Sequence, residues 1–465
     1  MEQVQSLPSS FRDPSGWVYS QNQAILRQVN LLYKEDYDLL MDSGLYATLI
    51  KKDLLIPHTE VKISPLHPAV SYKVIKPEKI KFISYPYEWS FSQLKDAALL
   101  TLAVQKEALQ SGMILKDASA FNIQFRDGSP IFIDTLSFTR YVNGTPWIAY
   151  RQFCQHFLVP LALMSYTDAR LNKLSSQYID GIPLDLGSRL LPASTWMNFG
   201  LLTHIHLHAK SQKQVHTNME DTKRISTANI SRNAMEALLE SLQATIRNIK
   251  WDINKENWAE YYQDTNYSKT AFKEKERIVL EMLNQVKPKS VLDLGANTGF
   301  FSFLAANDAG CSVLSTDFDP GAVEMNYLHC KRNMTKNVLP LIIDLTNPSA
   351  AVGWNNLERD SFISRCQVDM VMALALVHHL TIANNVPLEY VSQLLSKLGR
   401  YLLIEFVPKE DSRAAILLSS RDDIFENYDL KGFKKAFEAN FKLLLENKIR
   451  ESERSILIFE RNKVD

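Results

Sequence analysis

Two groups of residues in this chain have the types and spacing to do chemistry. The first runs Val-Leu-Asp-Leu-Gly-Ala-Asn-Thr-Gly from Val291 to Gly299. Asp293, Gly295 and Gly299 bracket a tight turn, with Asn297 inside it, and a helix is expected from Phe300 to Ala306. Glycines let a backbone pass close to a ligand, and a helix N-terminus offers free N–H groups to negative or polar ligand atoms. About twenty residues on, the apolar run Cys311 to Ser315 ends in Thr316-Asp317-Phe318-Asp319, which places an acid for a ribose diol. Asp344 ends a third apolar run, His378-His379 follow a fourth, and Glu405 ends a fifth. A neutral imidazole near pH 7 can take a proton from a hydroxyl or amine. His378, His379 and Glu405 are therefore the candidate catalytic residues.

The second group is Asp117, Asn122 and Asp134. Asp117 and Asn122 stand in D-x-x-x-x-N spacing. A hairpin turn at Asp127-Gly128 follows, then an apolar strand ending in Asp134. Two carboxylates and a carboxamide converging at strand ends suit Mg²⁺, which takes few protein oxygens and completes its shell with phosphates. The other reading is an accessory domain in which Asp117 and Asn122 cap helices or turns.

The elements that must position the first group form an α/β pattern. Short apolar runs end at Leu292, Ser315 and Ile343, then run from Val368 toward His378 and from Tyr401 to Phe406. Two tail segments, Phe441 to Leu445 and Ser455 to Phe459, suggest an antiparallel hairpin. Ligands of open α/β sheets sit outside the carboxyl ends of the strands, and Asp293, Asp317, Asp344, His378 and Glu405 all fall there. The spacing is D-x-G-x-x-x-G. It differs from the G-x-G-x-x-G of dinucleotide folds, and no Lys follows Gly299 as a P-loop requires.

On these residues the C-terminal half resembles the class I S-adenosylmethionine-dependent methyltransferases. The resemblance implies a seven-stranded Rossmann-like α/β domain. In it the glycine turn holds the methionine part of the cofactor, Asp317 the ribose and Asp344 the adenine amino group. It also implies that the end of strand four faces the transferring methyl. Aromatics upstream of strand one, Trp258, Tyr261, Tyr262 and Tyr267, would form a lid over the cofactor or simply pack on the sheet.

The second group, with a hinge-like Tyr85 to Trp89 after a strand Lys81 to Ser84 and a long helix from Gln93 to Gly112, resembles small-molecule kinases of the aminoglycoside-phosphotransferase kind. That implies an N-terminal α+β domain binding Mg-nucleotide, with Asp117 as a vestigial base and Asn122 and Asp134 as metal ligands. The sequence departs from this pattern at several points. Leu115 stands where a His is usual, Thr135-Leu136 follow Asp134, and no glycine-rich loop occurs in the first eighty residues. Arg27 is the nearest basic residue in an apolar run. Phosphoryl transfer is expected to be lost.

Lysines plus arginines and aspartates plus glutamates number 52 each, so no global field draws nucleic acid or a membrane surface. The cysteines Cys154, Cys311, Cys330 and Cys366 are scattered, which argues against a disulfide framework or a cysteine zinc site. The start lacks a basic, apolar signal pattern; a cytoplasmic setting is expected. His204, His206 and His208 alternate, so on a strand they would share a face for a metal. On a helix His204 and His208 would stand one turn apart. Lys210 to Ser231 reads as a linker, which places the boundary between residues 1–230 and 231–465, with the helical stretch Ala234 to Ile249 leading into the methyltransferase half.

The whole chain also resembles a bacterial methyltransferase group that includes nodulation-associated proteins, through I-S-Y-P-Y-E-W-S-F-S-Q-L-K-D-A-A-L-L-T-L, L-K-D-A-S-A-F-N-I-Q-F, A-L-A-L-V-H-H-L and I-E-F-V-P-K-E-D. Three readings follow. One is O- or N-methylation of a small or medium-sized acceptor, selected with help from the N-terminal domain. The others are a cofactor-binding scaffold without catalysis and a bifunctional kinase-methyltransferase.

Overall fold

The computed structural model describes residues 4–211, 229–253, 267–419 and 422–463. Most of the expected linker, and Trp258, Tyr261 and Tyr262, lie outside the described residues. The chain forms two compact units. One comprises Met1–Asp252 with Ala351–Asp360, the other Ile253–Ala350 with Ser361–Asp465.

The N-terminal unit opens with a five-stranded antiparallel sheet. Its strands are Val4–Ser6, Val18–Gln21, Ala24–Asn30, Ser71–Pro77 and His58–Glu60, in that spatial order. Asn22 and Gln23, both at positive φ, close the Val18–Asn30 hairpin in two residues, a turn geometry that matches strand twist. Two short helices, Lys34–Asp42 and Leu45–Lys51, connect Asn30 to the His58 strand. The helix Phe91–Gln110 carries a capping box from Ser90 and Gln93 and buries Leu94, Ala98, Leu102 and Leu109. The expected strand at 81–84 is irregular; the sheet's last long strand is Ser71–Pro77. The hairpin Ile123–Arg126 and Ser129–Phe132 turns at Asp127 and Gly128, both at positive φ.

The helix expected to lead into the second unit belongs to the first, so the division falls after Asp252 rather than near 230. Arg232–Asn248 buries Met235, Leu239, Leu242 and Ile246, an i, i+4, i+7, i+11 stripe that needs a partner surface. That partner is the long helix. Lys106 Nζ donates to Gln243 Oε1 at 2.7 Å, and Lys95 Nζ to the Ile249 carbonyl at 2.7 Å. The alternating histidines are helical and hydrogen-bonded. His204 sits between Tyr150 and Ser241, His206 between Ser188 and Thr195, and His208 stacks on Tyr150. Among the described residues no cluster of three or more His, Cys, Asp or Glu is arranged for a metal.

The C-terminal unit is a seven-stranded sheet. We number its strands β1 Ser290–Leu294, β2 Ser312–Asp317, β3 Val338–Ile342, β4 Val368–Ala373, β5 Gly399–Phe406, β6 Phe441–Lys448 and β7 Ser455–Arg461. The spatial order is β3-β2-β1-β4-β5-β7-β6. The first five strands are parallel, and β7 runs antiparallel to β5 and β6. Parallel strands covered on both faces are buried along their length, and β1 shows this: Val291, Leu292 and Leu294 are buried, with the polar Asp293 buried among them. Three helices matter for the site: α1 Lys269–Val286, α2 Phe300–Asn307 and α3 Pro320–Asn333. The order reverses at β1, between β2 and β4, where open sheets of this type place ligands. Among the described residues no helix is long and apolar enough to cross a membrane.

Candidate active site

The turn after β1 is built by its own residues. Gly295 and Gly299 have φ of 68° and 90°, and Asn297 has 54°, a left-handed conformation that Gly adopts freely and Asn tolerates. A Cβ on Gly299 would meet the Asn326 side chain at 2.5 Å, and one on Gly295 would meet Leu376 Cδ1 at 3.2 Å. Three bonds stitch the turn to β2. The Ala296 N–H donates to the Thr316 carbonyl at 2.9 Å, and the Thr316 hydroxyl to the Asp293 carbonyl at 2.9 Å. The Asn297 N–H donates to Asp317 Oδ2 at 2.8 Å.

Asp293 is buried beneath this turn. Ser302, on α2, donates to its Oδ2 at 2.6 Å and lies 2.7 Å from Ser315 Oγ. Burial pushes the Asp293 carboxyl up to about 6 against the pull of Ser302 and Lys275. Burial likewise pushes Asp317 up to about 6, opposed by the N–H groups of Asp319 and Asn297. With the Phe318 N–H, which also faces it, three backbone donors engage Asp317, so about one of the roughly four acceptor sites of an ionised carboxylate is left. Beside it the Phe318 ring is 61% exposed, a flat apolar face next to an acid. Asp344, two residues past β3, accepts the N–H and hydroxyl of Thr346 at 2.9 and 2.6 Å.

Past β4 the chain turns sharply at Ala375, whose φ is 52°. This conformation costs an alanine about 1–2 kcal/mol. His378 is 2% exposed, its ring lies 4.2 Å from that of His379, and its Nδ1 has no hydrogen-bond partner. Burial, then the neighbouring His379, pulls it down to about 3. His379 is also lowered, by burial and then by Arg413 and Arg454. Both imidazoles are neutral near pH 7.

Glu405 is fully engaged. It accepts from Lys275 Nζ at 2.7 Å, from Arg454 Nη1 at 3.3 Å and from the Tyr267 hydroxyl. Arg454 also grips Asp411 through both oxygens, at 2.7 and 2.9 Å, and bonds the Tyr267 hydroxyl at 2.9 Å. Burial alone would raise Glu405; Lys275 and Arg454 hold its carboxyl below the usual range. The expected cofactor contact Tyr267 and the expected catalytic Glu405 therefore meet each other in one buried ion network. Sequence reasoning passed over Lys275, Arg454 and Asp411. Lys275 carried a signal: it falls on the apolar stripe Ala271, Ile278, Val279 and Met282 of α1.

In the N-terminal unit, Asp117, Asn122 and Asp134 come together at the ends of the Ile123–Phe132 hairpin. Asp117 Oδ1 accepts the Ser119 N–H at 2.9 Å and Gln152 Nε2 at 2.8 Å, so it caps a turn. Burial, then Asp134, raises it. Asn122 Nδ2 donates to Ser137 Oγ at 3.2 Å, and Ser137 to Asp134 Oδ2 at 2.8 Å. Arg27 meets Asp134 Oδ1 at 2.6 Å.

No protein-family model matches the sequence. Among solved structures, the bifunctional kinase-methyltransferase WbdD overlaps at a TM-score of 0.30 with 17% identity, covering 45% of this chain and 46% of that one. Magnesium protoporphyrin IX methyltransferase (ChlM) from Synechocystis PCC 6803, with bound SAH, overlaps at 0.30 with 17% identity, covering 45% of this chain and 95% of that one. The aligned part is less than half of WbdD, and overlaps this weak carry no functional argument. Sequence similarity is far stronger: nodulation protein NoeA of Rhizobium meliloti (strain 1021) is 34% identical over 461 residues, 98% of this chain and 96% of that protein. A match of that depth across both units places the chain in the family of nodulation protein NoeA.

Proposed function

We propose that the C-terminal unit is an S-adenosylmethionine-dependent methyltransferase acting on a small or medium-sized acceptor at oxygen or nitrogen. The observation that carries this reading is the bond from Asn297 N–H to Asp317 Oδ2. It braces a turn with two left-handed glycines at the reversal point of a 3-2-1-4-5-7-6 sheet. The residues fit the cofactor. A Cβ at either glycine would crowd the turn, Asp317 keeps about one acceptor site for a ribose hydroxyl, and Phe318 lies open for an aromatic base.

When bound, the cofactor supplies a methyl on a positively charged sulfur, ready for in-line displacement. The protein's part is placement. Gly295 lets the backbone come close, Asp317 fixes the ribose, and Asp344 serves the adenine amino group. The Glu405–Arg454–Lys275 network holds the β5 end rigid. His378 has an unpartnered Nδ1 on a buried, neutral ring; an acceptor that displaces the cover over this ring would find there a hydrogen-bond acceptor for its O–H or N–H. Balanced charge, 52 against 52, favours such an acceptor over nucleic acid.

The N-terminal unit fits a kinase-like scaffold without phosphoryl transfer. Its antiparallel sheet, inserted helices, long helix and Asp117–Asp134 hairpin are in the order such a scaffold needs. The two-residue turn at Asn22-Gln23 leaves no glycine-rich loop to hold phosphates. Residues 351–360, which lie in sequence between β3 and β4, fold as part of this unit.

Calorimetry on one sample with S-adenosylmethionine, S-adenosylhomocysteine and Mg-ATP tests the whole reading. Saturable binding of the first two and none of the third is expected. Absence of binding to either sulfur compound would sink it.

A further inference from the structure

Arg27 lies in the strand Ala24–Asn30 and carries its guanidinium into the acidic cluster of the N-terminal unit. One nitrogen, Nη1, lies 2.6 Å from Asp134 Oδ1; the other, Nη2, lies 2.8 Å from Asp13 Oδ2. The Arg27 and Asp134 side chains are only 12% and 14% exposed. Two further donors share Asp134. The Leu136 N–H donates to Oδ1 at 2.8 Å and the Ser137 hydroxyl to Oδ2 at 2.8 Å. Asp13 in turn accepts the Ser15 N–H at 2.9 Å.

A divalent cation shared by Asn122 and Asp134 would need those oxygens turned toward it. It would also have to sit beside a fixed guanidinium in a partly desolvated place, where repulsion between like charges is poorly screened. Mg²⁺ gives up its water reluctantly and demands near-octahedral oxygen geometry, so it competes badly against a cation already tethered by the backbone.

We propose that Arg27 is a resident counter-ion that keeps a latent divalent-cation site at Asp117, Asn122 and Asp134 closed. The inference goes beyond methyl transfer and does not depend on it. Binding of S-adenosylhomocysteine to the same samples reports on the C-terminal unit separately.

The test is Mn²⁺ binding to the full-length chain, followed by the electron paramagnetic resonance of free Mn²⁺. The wild-type protein should show no saturable site. Arg27→Met, which keeps the stem and removes the charge, should bind one Mn²⁺, displaced by Mg²⁺. Adding Asp134→Asn should abolish that site. Should circular dichroism show Arg27→Met unfolded, Arg27→Gln carries the same arm, since its amide keeps a polar link to the acids. Two results overturn the proposal: a wild-type Mn²⁺ site that Asp134→Asn removes, or a folded charge-free variant that binds no more Mn²⁺ than wild type.

Discussion

Asp317 Oδ2 accepts the backbone N–H of Asn297 at 2.8 Å, so the acid after β2 braces the turn after β1. One carboxylate thus shapes the glycine turn, and in the proposed reading it also meets the ribose. Asp317→Ala should weaken binding of S-adenosylhomocysteine by about 1.5–3 kcal/mol for each charge-assisted hydrogen bond lost. Unchanged affinity in calorimetry would remove the ribose assignment.

Proton linkage at the same carboxylate gives a second expectation. Its folded value is raised to about 6, above that of an unfolded aspartate. The stability tied to its protonated form is therefore fully present below the unfolded value and lost as pH rises through about 6. A ligand diol that hydrogen-bonds the ionised form works the other way. Affinity for S-adenosylhomocysteine should be level above pH 6 and fall as pH drops below it. A flat profile from pH 5 to 8 would show that the ligand does not read the charge on Asp317.

Glu405 and Arg454 make a different demand. Removing the Glu405 charge with Glu405→Gln leaves Lys275 and Arg454 buried around a neutral amide. Breaking a buried pair from one side costs about 3–5 kcal/mol, so the C-terminal unit should melt well below wild type in scanning calorimetry. The sign of the pH effect follows from the lowered carboxyl. Its contribution is present above the unfolded value and lost as acid titrates the folded group. Glu405→Gln should flatten the acid limb of the stability curve. A variant as stable as wild type would mean that the network contributes nothing net.

The glycine turn was legible because its parts are local: Asp293, Gly295 and Gly299 specify one another over a few residues, and strand period and burial fix which end of β2 carries Asp317. The ion network was not legible. Tyr267 just before α1, Lys275 on α1, Glu405 at the end of β5, Asp411 beyond it and Arg454 in the β6–β7 connection are far apart in sequence, and no spacing rule joins them. Glu405 therefore read as a free acid when it is a satisfied one. Arg27 and Asp134 were each singled out, yet their pairing depends on how a strand lies against a hairpin, which periodicity does not report. The domain boundary was misplaced for a related reason. A polar stretch suggested a break before Ser231, while the apolar stripe of Arg232–Asn248 has its partner surface on the long helix of the first unit.

His378 is expected to act on the acceptor and not on the cofactor. His378→Ala should leave affinity for S-adenosylhomocysteine near wild type while lowering kcat for methyl transfer; losing one orienting hydrogen bond of about 0.5–1.5 kcal/mol costs roughly 2- to 13-fold. With a value pulled down to about 3, the imidazole stays neutral across pH 5–8. The wild-type rate should show no inflection from this group in that range. A pH-rate limb near 6.5 that vanishes in His378→Ala would instead make it a titrating base.

Leu239 tests where the first unit ends. It is fully buried on Arg232–Asn248, between Met235 and Leu242. Truncating a buried leucine removes its transfer free energy and leaves a cavity, a loss of about 2–5 kcal/mol. Because the stripe packs on Phe91–Gln110, that loss should fall on the N-terminal unit alone. Hydrogen exchange of Leu239→Ala should show faster exchange in residues 91–110 and 232–248, with α1 and β1 protected as in wild type. Affinity for S-adenosylhomocysteine should stay at the wild-type level. Faster exchange in residues 269–294 would instead attach the helix to the C-terminal sheet and restore the boundary that the polar stretch suggested.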